Sequence, residues 1–218
     1  MGTLSEIYPN SVAVESALDR ANRAEIDIIN IKSRLDALEY KDITINSFTA
    51  NPSLCEMGSS VSVSLAWQLN KTPTDQSING IAVTGNSKQF DNVTESASYT
   101  LTVTDGQTTA TKNATTTFAN QIYYGVATDL SSVTELNKVL SNTKVRNFTV
   151  NATAGKYIIY AIPARLGNVK FYVGGFEGGF EAPVQQNLIN QSGYQEAYRV
   201  YRSTNASLGN TTVEVREG

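Results

Sequence analysis

Few residues in this sequence are suited to carrying out chemistry. It contains no histidine and one cysteine, Cys55, among 218 residues. The commonest general base and transition-metal ligand is therefore missing, and so is every Ser-His or Cys-His nucleophile pair. Cys55 alone cannot form an intrachain disulfide or a thiolate metal site, and we interpret it as a small half-buried residue. The sequence predicts no catalytic, cofactor-binding or metal-binding residues.

The acidic side chains give no second route to catalysis. Asp91, Glu95, Asp105 and Asp129 are scattered and lack the spacing of an EF-hand loop. A glycan hydrolase remains an alternative, but it needs two carboxylates paired in a cleft, and no candidate pair stands out. We therefore predict that the protein is not an enzyme.

A glycine-rich stretch at residues 174–180 is the most unusual local sequence. It has neither the strand-to-helix context of a dinucleotide loop nor the Lys-Ser/Thr of a P-loop. We interpret it as a twisted hairpin or bulge in which glycines take positive φ and Phe176 and Phe180 provide anchors. A ligand-binding loop is the alternative.

The overall charge argues against two classes of partner. A net charge of -3 and a pI near 5.1 provide no basic field for nucleic acid. No apolar run reaches 18 residues, and residues 1–9 lack the basic and apolar regions of a signal peptide. We expect a soluble protein that is not exported by a signal peptide, with no nucleic-acid partner and no membrane insertion.

An unbroken heptad pattern predicts that a helix at residues 11–40 forms a parallel coiled coil. The apolar a positions are Val14, Ala21, Ile28 and Leu35, and the d positions are Ala17, Ala24, Ile31 and Leu38. In a parallel coil each g residue faces the e residue five places on in the neighbour. These g and e residues have opposite charges: Arg20 with Glu25, Asp27 with Lys32, and Arg34 with Glu39. An ordinary amphipathic surface helix, with a wider apolar stripe, is the alternative.

The coil is predicted to have three strands. Isoleucine at both a and d, as at Ile28 and Ile31, shifts parallel coils away from dimers. The last turn, with Arg34, Leu35, Leu38 and Glu39, also resembles the short trimerisation signature of parallel coiled coils. Small alanine layers make this short coil marginal, so we expect the downstream domains to associate as well.

From Asp42 onward the apolar period changes from helical to two, which predicts β-strands. Residues 41–119 are predicted to form one antiparallel β-sandwich, with inward residues such as Val63, Leu65 and Trp67. Residues 120–218 are predicted to form a second, with a short helix at 131–139. The fold class is therefore mainly β: an N-terminal parallel coiled-coil helix followed by two β-sandwich domains.

Eight of the eleven tyrosines lie from Tyr123 onward. Tyrosines at alternating strand positions usually fill a sandwich core, which is the interpretation we favour. Aromatic faces beside amides and hydroxyls also suit stacking on sugars or contact with a protein.

Residues 45–52, the strand at 61–69 with its tryptophan, and residues 98–106 together resemble an immunoglobulin-like or fibronectin-like domain. This segment lacks the paired cysteines of antibody domains. The resemblance implies a spacer or adhesive module and assigns no ligand.

The heptads at 14–38, the strand and turn at 98–106 and the block at 156–180 together resemble a bacteriophage virion fibre or appendage. The resemblance implies a homotrimeric structural protein, a head fibre or a tail or baseplate fibre, at the virion surface. It would be made in the host cytoplasm and project its β-domains for host attachment. Its partners would be itself, capsid or tail proteins, and a host-surface glycan or protein. A cell-surface adhesin or scaffold module with a coiled-coil stalk is the alternative.

Residues 1–10 are expected to be the segment that docks onto the virion. They carry the apolar side chains Leu4, Ile7 and Tyr8 beside Pro9 but have no core of their own. Such a segment is expected to become ordered only against a partner surface.

Overall fold

The computed structural model describes residues 11–218, except for the side chains of residues 11–13, 15, 36 and 37. Within this range the fold is mainly β, with one α-helix, α1 (Ser11–Ala37), ahead of sixteen strands. The strands are β1 (Ile45–Asn51), β2 (Leu54–Glu56), β3 (Val61–Leu69), β4 (Asp75–Ile78), β5 (Ile81–Ala82), β6 (Ser87–Val93), β7 (Ala97–Thr104), β8 (Thr109–Ala127), β9 (Asn137–Ser141), β10 (Arg146–Ala152), β11 (Tyr157–Pro163), β12 (Val169–Val173), β13 (Phe176–Glu177), β14 (Val184–Ile189), β15 (Gln195–Arg202) and β16 (Gly209–Glu217).

Helix α1 ends at Ala37 and not at the predicted Tyr40. The amide of Leu38 still donates to the carbonyls of Arg34 at 3.1 Å and Leu35 at 3.0 Å, which closes the last turn. Bonds shared in this way are common where a helix frays, and packing against a neighbour is what usually sustains a final turn. Residues 43–218 form a separate compact unit.

Three sheets build the unit at 43–218. The largest has nine strands along the path β14-β15-β11-β8-β7-β4-β5, with β2 and β9 also paired to β8. A three-stranded sheet has the order β1-β3-β6, and a four-stranded sheet has the order β10-β16-β12-β13. The named strand pairs are antiparallel except for β2 with β8, which is parallel.

Strand β8 is the central element, because it runs through both halves of the unit. Its residues 109–116 pair with β7, residues 120–124 pair with β9, and residues 123–127 pair with β11. The predicted domain boundary at residues 119 and 120 lies inside this strand. A paired strand in which nearly every side chain of residues 118–125 is buried connects the two halves.

The core is divided among three hydrophobic clusters. The first contains Phe48 from the three-stranded sheet and Leu101 from the nine-stranded sheet. The predicted inward residues Val63, Leu65 and Trp67 belong to it and are at most 2% exposed, which confirms their assignment. The second and third clusters lie along β11.

Strand β11 is buried on both faces. Ile158, Tyr160 and Ile162 belong to the cluster shared with the four-stranded sheet, and Ile159 and Ala161 belong to the third cluster. Successive strand residues point to opposite faces, so a continuous apolar run is what a doubly covered strand requires.

The predicted helix at residues 131–139 is wrong. Only a short 3-10 helix, Val133–Glu135, is present, and β9 follows it directly. The Ser131 hydroxyl and amide bind the Asp129 carboxylate and do not cap a helix. Pairing of β9 with residues 120–124 of β8 outweighs the local helical tendency, because it satisfies the backbone of a long strand.

Candidate functional site

The predicted coiled-coil seam is exposed in the single chain. Among its large a and d side chains the exposed fraction runs from 57% at Ile28 to 78% at Leu38, and Ala17, Ala21 and Ala24 are exposed as well. The other large seam residues, Val14, Ile31 and Leu35, are 61–67% exposed. Isolated exposed apolar side chains are ordinary, but a row of them along one helix face marks a surface that another element covers.

Charged side chains flank this seam as the heptads predict. Arg20, Asp27 and Arg34 lie at g, and Glu25, Lys32 and Glu39 lie at e. All six are exposed. The Arg20 guanidinium donates through Nε to the Ser16 carbonyl at 3.2 Å, so it lies along the helix surface. Arg34, which is also in the proposed trimer signature, occupies the last turn, where a cation is favourable beside the helix carbonyls.

A second apolar row on α1 was missed by the sequence analysis. Leu18, Ile26 and Ile29 are 60%, 57% and 62% exposed, yet they fall at e, f and b and not at the seam. The signal was present in the sequence as the spacing of Leu18, Ile26 and Ile29, which places the three residues on one side of a helix. The exposed apolar surface of α1 is therefore wider than the seam alone.

The segment predicted to dock onto a virion, with Leu4, Ile7, Tyr8 and Pro9, lies outside the described residues. Its role stays a prediction.

Most of the C-terminal tyrosines pack into the core, as we favoured. Tyr123, Tyr160, Tyr198 and Tyr201 are at most 4% exposed, whereas Tyr194 is 38% exposed. Burial raises the pKa values of Tyr160 and Tyr198 well above the ordinary tyrosine value. The Tyr198 hydroxyl donates to the Gln121 carbonyl at 2.8 Å, which ties β15 to β8.

Polar contacts connect the two halves of the 43–218 unit next to β2. The Gln121 amide donates to one Glu56 carboxylate oxygen at 2.9 Å, and the Ser192 hydroxyl donates to the other at 3.2 Å. The Asn190 amide donates to the Met57 carbonyl at 2.6 Å. Each of these hydrogen bonds joins a residue of one half to a residue of the other, so this region is a structural joint between the two halves.

Cys55 lies within this joint and is 4% exposed. Burial raises the pKa of its thiol, which keeps it protonated and poorly nucleophilic near neutral pH. Among the side chains that the structure describes, no three of His, Cys, Asp or Glu are placed to share a metal ion.

The glycine-rich stretch forms a hairpin between β12 and β13. Gly174 and Gly175 make the two-residue turn with φ of +60° and +87°, values that suit glycine in a turn of this kind. Phe180 stacks on Phe171 with ring centres 3.8 Å apart, so it is an anchor. The anchor role predicted for Phe176 is wrong, because this side chain is 80% exposed.

No described helix is both long and apolar enough to span a membrane. Neither a protein-family model nor a curated protein matches the sequence.

Proposed function

We propose that this protein is a non-enzymatic structural protein that assembles as a homotrimer through a parallel coiled coil formed by α1. The observation that supports this most directly is the exposed seam at Val14, Ile28, Ile31, Leu35 and Leu38. Three copies would bury these side chains together, and the opposite charges at g and e would favour the parallel register.

The hydrophobic clusters support a finer description of the fold, which we also propose. We propose that the first cluster is the interior of an Ig-like β-sandwich at residues 41–119, because it contains side chains from two different sheets. The second cluster combines the four-stranded sheet with β8, β11 and β15, as in a second sandwich at residues 120–218. The shared strand β8 would hold the two as one rigid arm.

In this proposal the trimer is a fibre of a phage virion, on the head or the tail, and the β-domains project toward the host surface. The modular order supports this: a docking segment at residues 1–10, a short coil and a rigid β-arm. Three arms on one coil would convert weak single contacts into useful avidity.

The lack of histidine and the buried position of Cys55 support a binding role and not a catalytic one. A glycan hydrolase needs two carboxylates paired in a cleft, so turnover of host polysaccharide is the assay that would contradict this part of the proposal.

Two measurements test the assembly and its location. Light scattering on the full chain should give about 71 kDa, three chains of 23.6 kDa, and a mass of one chain would refute the trimer. Deleting residues 2–10 should leave a folded trimer that no longer incorporates into particles. Normal incorporation of the deletion variant would mean that the C-terminal domain, and not residues 1–10, anchors the protein to the virion. The absence of the intact protein from any particle would favour the adhesin alternative.

A further inference from the structure

Strand β14 ends the nine-stranded sheet and leaves one edge of its backbone without a partner strand. Among the strands that the structure describes, β14 pairs with β15 alone. All six of its residues are uncharged, and Val184 and Ile189 are 50% and 57% exposed. An exposed edge of this length without charge is a template for a further strand, and proteins usually protect such edges.

The other sheet edges in the described part of the chain are protected. β5 and β13 have two residues each, and β2 has three. β6, β9 and β10 each carry a charged side chain. β1 is uncharged, but the Lys112 ammonium donates to the carbonyls of Ile45 at 3.4 Å and Asn46 at 3.0 Å. Short length, charge and a covering side chain keep these edges from pairing, and β14 has none of the three.

The pairing with β15 determines which backbone groups of β14 face outward. The register of the two strands continues to Asn190, whose amide donates to the Tyr194 carbonyl at 3.0 Å. Hydrogen-bonded and non-hydrogen-bonded pairs alternate in an antiparallel ladder, so residues 184, 186 and 188 bond to β15. The backbone N–H and C=O groups of Gln185, Asn187 and Ile189 therefore point away from the sheet.

From this edge we propose that β14 pairs with β14 of a second copy of the chain in an antiparallel, two-fold register. A two-fold contact uses the same edge of both copies, and because the strand carries no charge the two edges do not repel each other. The outward backbone groups meet, and side chains stay on matching faces, when Asn187 lies opposite Asn187 of the second copy and Gln185 lies opposite Ile189. Each of these hydrogen-bonded pairs exchanges two backbone bonds.

A single edge contact of this kind is weak, so dilute trimers stay separate. Each new bond replaces a bond to water, and association costs translational and rotational freedom. The coil proposed for α1 holds copies together and raises the effective concentration of their edges. Two edges of one trimer then pair, and the third is left for a neighbouring trimer. The edge contact rests on the proposed trimer for this concentration, and it supplies the association of downstream domains that a short, alanine-rich coil needs.

Disulfide trapping on the full chain tests this register. Asn187→Cys places two thiols opposite each other on the two-fold axis with Cα atoms about 5.5 Å apart, which a disulfide can span. Oxidation with copper phenanthroline should give a species of about 47 kDa, two chains of 23.6 kDa, on a non-reducing gel. Gln185→Cys is the matched control, because its two copies would lie about 13 Å apart along the strands and should not cross-link. Cys55 is buried, so the unmodified chain should not cross-link either.

A second change, Gln185→Pro, removes one outward N–H and leaves the bonds to β15 in place, which an edge strand tolerates. Added to the Asn187→Cys chain, it should slow cross-linking about three- to tenfold while the fold is kept. The proposal fails if Asn187→Cys cross-links no faster than Gln185→Cys, or if Gln185→Pro leaves the rate unchanged. A trimer whose Asn187→Cys variant does not cross-link would overturn the edge contact alone, and a monomer whose variant does cross-link would overturn the coil alone.

Discussion

Replacing two seam isoleucines gives the sharpest test of the assembly. The double variant Ile28→Asp/Ile31→Asp places carboxylates at consecutive a and d positions in the centre of α1. In a trimer these six charges would face one another without partners, whereas in a single chain both positions are solvent-exposed. We expect trimers to become monomers while the β-unit stays folded.

The magnitude follows from the exposed fractions, 57% for Ile28 and 61% for Ile31. Fully burying an isoleucine contributes about 1.5–3 kcal/mol, so burying what remains exposed contributes about 1–2 kcal/mol per side chain. Six such side chains in a trimer contribute about 6–12 kcal/mol. Losing even the lower figure weakens association by about 10⁴-fold, and unpaired charges at the seam add several kcal/mol.

Helix α1 provides a closely matched control. Ile26 and Ile29 are 57% and 62% exposed, yet they lie at f and b. The variant Ile26→Asp/Ile29→Asp has the same added charge, the same helix and nearly the same exposure, but it leaves the seam intact. It should remain trimeric.

Light scattering across a hundredfold range of protein concentration measures both outcomes. Fluorescence of Trp67, the single tryptophan of the chain, reports independently that the β-unit is folded. Equal loss of trimer in both double variants would refute the heptad register. A seam variant that remains trimeric would show that the β-domains, and not the coil, hold the assembly together.

Two further predictions concern stability. Gly58→Ala should destabilise the fold by about 2–4 kcal/mol in urea denaturation, because its φ is +85° and an added Cβ would lie 2.4 Å from Tyr194 Cβ. Gly80→Ala, with φ of +80° and no atom within 4 Å of its added Cβ, should lose only about 1–2 kcal/mol, and equal losses would contradict the steric argument. Stability should also fall as pH rises above the unfolded tyrosine pKa of 10, because burial keeps the folded pKa values of Tyr160 and Tyr198 higher and the unfolded chain releases protons first. Guanidinium denaturation between pH 8 and 11 should show little change up to about pH 9 and a loss of about 1.4 kcal/mol for each group by pH 11, and Tyr160→Phe should reduce that loss.

Local periodicity determined much of the fold in advance. Alternation along Val63, Leu65 and Trp67 predicted an inward strand face, and these side chains are at most 2% exposed. The helical period of α1 was equally local, since the heptads are a property of one segment. The coil itself remains a prediction, because an assembly depends on copies that a single chain does not contain.

Two predictions failed because they were made from single segments. The segment at 131–139 was predicted to be helical, yet residues 137–141 form β9, paired with residues 120–124 of β8. Phe176 was expected to be an anchor from composition, but its strand has two residues at a sheet edge, so its side chain faces solvent.

The sequence by itself determined which residues could carry chemistry, where the period changes from helical to two, and which positions on α1 are apolar. These properties are set by residue type and by spacing over a few turns or strand positions. Only the tertiary structure decided that β8 passes through both halves as one strand, and that Phe180 and Tyr201 both contact the Phe171 ring. Such placements depend on which distant strands pair, and their energies come from burial and hydrogen bonds formed only when the chain has folded.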